Sequence, residues 1–210
     1  MIVDTAHPVA LTSYDYLFPL GAIKDNSRNS AFNAKLKKFP GDVMDLGCAG
    51  GGFVKDCLDE GRLAIGLEGN DYGQKNTWAE WATIPENLFT CDITYPFVVH
   101  TGDSLPHLFK VITAWEVLEH LQKKDLGNFF KNVVKHLHPD GVFIVSIANK
   151  TSFSDSSHTI DLHRIHEDEN WWTARVIKAG FVRDSEAEIY FGKDWLRNER
   201  KSFHFVLRKK

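Results

Sequence analysis

Apolar residues recur at spacings of three and four between residues 125 and 137. There Leu126, Phe129, Phe130, Val133, Val134 and Leu137 predict one amphipathic helix. Elsewhere short apolar runs bounded by glycine or proline predict strands at 42–46, 63–67, 88–91, 111–115 and 142–148. Helices are predicted in between, at 53–60, stopped by Gly61, and at 72–82, with Trp78 and Trp81 partly buried. Pro139-Asp140-Gly141 reads as a turn into the last of these strands. Alternation of this kind predicts a parallel α/β sheet.

The final third changes character. Residues 151–169 are polar and histidine-rich and read as a long loop, and 170–179 as a helix with Gly180 at its end. Segments 188–191 and 202–207 alternate as strands do and are expected to pair antiparallel at the sheet edge. Residues 1–40 read as a helical or irregular cap, with a helix at 30–38, on a main unit at 41–210. No repeat or low-complexity linker divides the chain.

A chain of 210 residues suits one domain. Hydrophobic content of 43% and charged content of 25% exclude disorder. The net charge of -3 gives no support to non-specific attraction to nucleic acid or membrane. Cys48, Cys57 and Cys91 are too few for a disulfide framework and fit a reduced, cytoplasmic setting. Residues 1–10 carry Asp4 and no basic stretch before an apolar core, so a signal peptide is not expected, and no apolar run would span a bilayer. The expected partner is a small-molecule substrate, with neither membrane nor nucleic acid.

The strongest chemical signal is Val43-Met44-Asp45-Leu46-Gly47-Cys48-Ala49-Gly50-Gly51-Gly52. Small residues after a buried strand let backbone approach a ligand, and in an open α/β sheet that place borders the crevice. Glu68 closes the second strand, where a carboxylate can accept both hydroxyls of a ribose. Asp92 and Ile93 follow the third strand, placed to bond and pack an adenine. Gly47-x-Ala49-x-x-Gly52 loosely copies a dinucleotide fingerprint. Asp45 beside that loop suits a cationic amino acid better than a pyrophosphate, and the second half of the chain repeats no nucleotide-binding half.

Asp45 to Gly51, Glu68, Cys91-Asp92-Ile93, Trp115-Glu116-Val117-Leu118-Glu119-His120 and Leu137-His138-Pro139-Asp140-Gly141 together resemble the ordered motifs of class I S-adenosylmethionine methyltransferases. The resemblance covers about residues 40 to 150 and is closest to the branch acting on small molecules and sugars. It implies a Rossmann-like, seven-stranded, mostly parallel sheet with helices on both faces and an antiparallel edge strand. It also implies S-adenosylmethionine as cofactor. Asp45, Gly47, Cys48, Ala49 and Gly51 would line its methionine and ribose portions. Glu68 would hold the ribose, Asp92 and Ile93 the adenine, and Trp115 and Glu116 the wall near the sulfonium. Ala49 departs from the family, which usually has a glycine there.

On the acceptor side the candidate bases are His120 and His158, with Tyr14, Tyr16, Arg28, His163 and His166 as substrate contacts. A metal site from His158, Asp161, His163 and His166 is conceivable, but loop histidines without a tight pair on regular structure lead us to expect none. The resulting expectation is methyl transfer to a hydroxyl of a polar small molecule, a sugar or a glycan precursor. Alternatives are an RNA ribose methyltransferase, a protein that binds the cofactor without turnover and a nicotinamide oxidoreductase.

Overall fold

Val43–Leu46 carries four buried side chains in a row, the signature of a parallel strand covered on both faces. The computed structural model builds outward from it and describes residues 1–102, 105–148, 162–193, 195–196 and 202–210, with the backbone of 153–155 and 158–160. Its strands are β1 (Ile2–Thr5), β2 (Val43–Leu46), β3 (Ala64–Glu68), β4 (Leu88–Thr90), β5 (Phe97–His100) and β6 (Phe109–Trp115). They continue with β7 (Leu137–Ala148), β8 (Phe153–Asp155), β9 (His158–Ile160), β10 (Phe181–Arg183) and β11 (Ser202–Lys209). The α-helices are α1 (Tyr14–Leu17), α2 (Leu20–Lys24), α3 (Ser30–Leu36), α4 (Gly52–Asp59), α5 (Tyr72–Asn76), α6 (Leu126–His136), α7 (Glu169–Lys178) and α8 (Ser185–Phe191).

Seven strands form the main sheet in the order β10-β11-β7-β6-β2-β3-β4. The five from β7 to β4 run parallel, and β11 lies antiparallel to β7 from Ser202 opposite Ala148 to Leu207 opposite Phe143. The antiparallel strand therefore sits one place in from the edge, which β10 occupies. Alternate strand residues face opposite layers. Met44, Leu46, Ile65 and Ile112 pack with Phe129, Phe130 and Val133 of α6 and Trp172 of α7. Val43, Ala64 and Val111 pack with Phe32 and Leu36 of α3, Val54 of α4 and Phe191 of α8. Helices cover both faces, as expected. Among the described residues no helix is long and apolar enough to cross a membrane.

The local pattern misled in four places. Residues 188–191 are helical: Asp184 caps α8 by accepting the Ala187 N–H, and Ala187 and Phe191 bury one turn apart while Ile189 is exposed. The late antiparallel pair is β10 with β11 instead. The helix expected at 72–82 breaks at Thr77, whose φ of 47° is left-handed, and resumes as a 3-10 turn, Ala79–Ala82. Pro139-Asp140-Gly141 interrupts a strand rather than preceding one, because Leu137 already pairs with Phe109 before the register shifts. Within the loop expected at 151–169, β8 and β9 form a small antiparallel pair. A further ribbon, β1 with β5, lies outside the main sheet.

Candidate functional site

From β2 the chain winds to β3 and β4 on one side, then returns to place β6 on the other. The crevice of such a sheet opens at the carboxyl ends of the two strands where direction reverses. Two non-glycine residues just beyond those ends are left-handed, Ala49 at φ 45° and Glu116 at φ 52°. Ala49 is held there from both sides. Its N–H donates to Glu68 at 2.9 Å, and its carbonyl accepts the Trp81 indole N–H at 2.9 Å.

The glycines divide their tasks. A β-carbon on Gly50 would stand 2.7 Å from Asn26 Oδ1, and one on Gly52 would stand 2.8 Å from the Asn26 carbonyl oxygen. Those two admit the segment at Asn26, and the Gly50 N–H donates to the Asp25 carbonyl at 2.9 Å. Gly51, at φ 87°, packs on Leu88. Gly47 is the one of the four that faces the crevice.

A cleft of about 210 Å³ lies over the strand ends. Gly47, Ala49, Glu68, Asp92, Ile93, Trp115 and Glu116 line it from the sheet, Tyr14, Asp15 and Tyr16 from the amino-terminal helices, and His120 and Arg164 from the far side. A second recess of about 100 Å³ shares Gly47, Ala49, Trp115 and Glu116. It adds Asp45, Cys48 and Arg28, with aromatic walls from Phe32, Phe53 and Trp195. Among the described residues, the larger cleft sets Asp15, Asp25, Glu68, Asp92, Glu116 and Asp125 against Arg164. Such a surplus of carboxylates attracts a cation and repels a pyrophosphate. Burial pushes the Asp45 carboxyl up to about 7, although the Thr113 hydroxyl, donating at 2.6 Å, pulls it back. Burial also raises Glu68 against the pull of the Asn70 and Ala49 N–H groups.

Residues 21–186 match the profile of the methyltransferase-domain family. The chain belongs to the class I S-adenosylmethionine-dependent methyltransferases. Over 112 residues this methyltransferase is 28% identical to the ubiquinone biosynthesis O-methyltransferase of Rickettsia conorii, a match covering 52% of this chain. It spans 36% of that relative's length. The PH0226 protein of Pyrococcus horikoshii OT3 shares its fold at a TM-score of 0.61 and 17% identity, over 98% of this chain and 96% of the other. The glycopeptide N-methyltransferase MtfA, solved with (S)-adenosyl-L-methionine, aligns at a TM-score of 0.59 and 13% identity, over 87% and 93% of the two chains. The cofactor of the methyltransferase is S-adenosylmethionine, and the acidic cleft fits its positive charge.

On the far side of the cleft, His120 Nδ1 stands 3.0 Å from Asp15 Oδ1. Burial lowers the His120 pKa, yet Asp15, with Glu119 and Glu116 behind it, outweighs burial and raises it overall. The His163 ring meets His120 edge-on at 4.7 Å between centroids, and His166 lies 6.1 Å from His163. Glu119 is fully buried: Oε1 accepts the Ala148 N–H at 2.7 Å, and among the described residues Oε2 has no hydrogen-bond partner. Its carboxyl is pushed up to about 7 by that burial. The Arg164 guanidinium stacks 4.2 Å above the Tyr14 ring, joining the late loop to α1 across the cleft mouth. Arg28 pairs with both Asp56 and Glu80.

Most of the residues expected at the site thus converge on the two cavities. Gly51, His163 and His166 do not line either one, and the side chains of His158 and Asp161 lie outside the described residues. Sequence reasoning missed Asp15, although it sits between the two tyrosines that were chosen, and Arg164, embedded among the histidines. Trp195 carries no local signal at all; it reaches the recess by packing on Trp115 at 5.3 Å.

Proposed function

We propose that this methyltransferase modifies a hydroxyl oxygen of a small polar molecule. The observation that carries this reading is the Asp15–His120 pair at the cleft wall, 3.0 Å apart. A carboxylate behind an imidazole orients the ring and stabilises its protonated form, which suits removal of a hydroxyl proton. When bound, S-adenosylmethionine supplies a methyl group on a sulfonium sulfur.

The residues present fit that cofactor. Glu68 would hold its ribose, Asp92 and Ile93 would take the adenine, and Asp45 would face the amino-acid end in the aromatic recess. Gly47 leaves room where any β-carbon would strike Val117 at 2.5 Å. Tyr14, Tyr16 and Arg164 would cover the acceptor and exclude water, and His120 would receive its proton. The carboxylate lining opposes an RNA backbone, which disfavours the ribose-methylating alternative.

The test is mass-spectrometric. S-adenosylmethionine is incubated with the protein and a panel of hydroxylated acceptors, including sugars and, because of the Rickettsia relative's name, hydroxylated ubiquinone precursors. Formation of S-adenosylhomocysteine with the methyl on oxygen is expected. Transfer to nitrogen, or to RNA alone, would sink the reading.

A further inference from the structure

Behind the cleft wall, Glu119, His120 and His163 each direct a ligand atom to one place, all within 4.8 Å of one another. The main chain fixes this meeting, because the N–H groups of Arg164 and Ile165 both donate to the Glu119 carbonyl, at 2.7 and 3.0 Å. An independent observation points to a missing ligand. Glu119 is 0% exposed, and among the described residues Oε2 has no hydrogen-bond partner while Oε1 is satisfied by Ala148. A buried carboxylate oxygen left alone is costly, and a proton or a cation must compensate it.

We propose that Glu119, His120 and His163 form a binding site for a divalent transition-metal ion. One carboxylate and two imidazoles are a donor set typical of open Zn²⁺ sites, which keep a further position for water or substrate. His120 also lines the cleft, so the three side chains lie against its wall. Asp15 against Nδ1 of His120 supplies the carboxylate–imidazole pairing that commonly orients a metal-ligating histidine. With the ion bound, His120 would be a ligand in place of the base, and the ion would lower the pKa of an acceptor hydroxyl so that its proton passes to solvent. This role rests on the O-methylation reading; the site itself rests on the three side chains.

The experiment is calorimetric titration of Zn²⁺ into the chelator-stripped 210-residue chain without acceptor, so that it can fail separately from the O-methylation reading. One ion per chain at micromolar or tighter affinity is expected. Glu119→Gln, which keeps an acceptor for the Ala148 N–H, and His163→Gln should each weaken Zn²⁺ binding at least about tenfold. Their retained affinity for S-adenosylhomocysteine reports the fold. No saturable binding by the parent chain would overturn the proposal, leaving a proton as the compensation for Glu119. Equal Zn²⁺ binding by a folded variant would overturn it too, assigning the metal to other histidines.

Discussion

The carboxylate of Glu68, at the end of β3, accepts the N–H of Ala49, in the loop after β2, at 2.9 Å. Its other oxygen accepts the Asn70 N–H at 2.9 Å. One side chain therefore fixes two loops of the cleft before any ligand arrives. Glu68→Ala should weaken binding of S-adenosylhomocysteine by about 1 to 3 kcal/mol, the usual cost of stranding buried polar partners. Glu68→Gln keeps one acceptor oxygen and should fall between the two. A calorimetric Kd for Glu68→Ala equal to that of the parent would refute this.

Two glycine substitutions should act in opposite directions. Gly47 has φ 78°, and a β-carbon there would stand 2.5 Å from Val117, so Gly47→Ala should lower both the melting temperature and cofactor affinity. Gly127 lies in α6, and a β-carbon there would meet nothing within 4 Å. Gly127→Ala should stabilise the fold by about 0.5 to 1 kcal/mol. Thermal melts of both variants check the pair, and a fall for Gly127→Ala would contradict the second half.

Asp45 should link cofactor binding to pH. Its carboxyl is held at about 7 by burial, against 3.8 for the ordinary group. The folded chain thus holds this proton more tightly than the unfolded one. Stability contributed by the proton is present below the unfolded value and is lost as pH rises through about 7. A ligand whose amino-acid end is an ammonium favours the ionised form, so its binding should release a proton below that pH. S-adenosylhomocysteine should bind more tightly at about pH 8 than at about pH 6, and Asp45→Asn should flatten the dependence. Calorimetry in buffers of different ionisation heat measures the released proton directly. No release near pH 6 would refute the linkage.

What was legible in the chain was what is local. The run from Asp45 to Gly52 and the acid Glu68 announce the crevice, because a strand, its turn and its last residue are adjacent in sequence. The same locality misled at residues 188–191, where Glu-Ile-Tyr-Phe alternates as a strand does. The Asp184 cap and the burial of Ala187 and Phe191 decide for helix. Glycines 50 and 52 looked like room for a ligand, yet they make room for Asn26, a contact that only the tertiary path creates. His163 reaches His120 by the same kind of distant bond, through Arg164 and Ile165 to the Glu119 carbonyl. Spacing along the chain holds no trace of it.

Arg28 offers a test of how the amino-terminal segment closes the cofactor site. Its guanidinium bonds to Asp56 on α4 and to Glu80 on the 3-10 turn, and Asn26 Nδ2 donates to the same Glu80 at 3.3 Å. Those pairs hold residues 25–28 across the glycine loop, where the Glu80 N–H also donates to the Gly50 carbonyl at 2.9 Å. Arg28 is partly exposed, so solvent screens the pairs and each is worth about 0.2 to 1 kcal/mol. Arg28→Ala should therefore lower the melting temperature by a few degrees, about 2 to 4 °C per kcal/mol for a chain of this size. It should also weaken S-adenosylhomocysteine, chiefly by faster release, because the segment over Gly50 loosens. The sequence suggested instead that Arg28 touches substrate, and the two roles separate in one comparison. A clasp changes melting temperature and cofactor release while leaving the acceptor KM nearly constant. A substrate contact raises the acceptor KM and leaves the melt unchanged, and that result would show that Arg28 does not close the site.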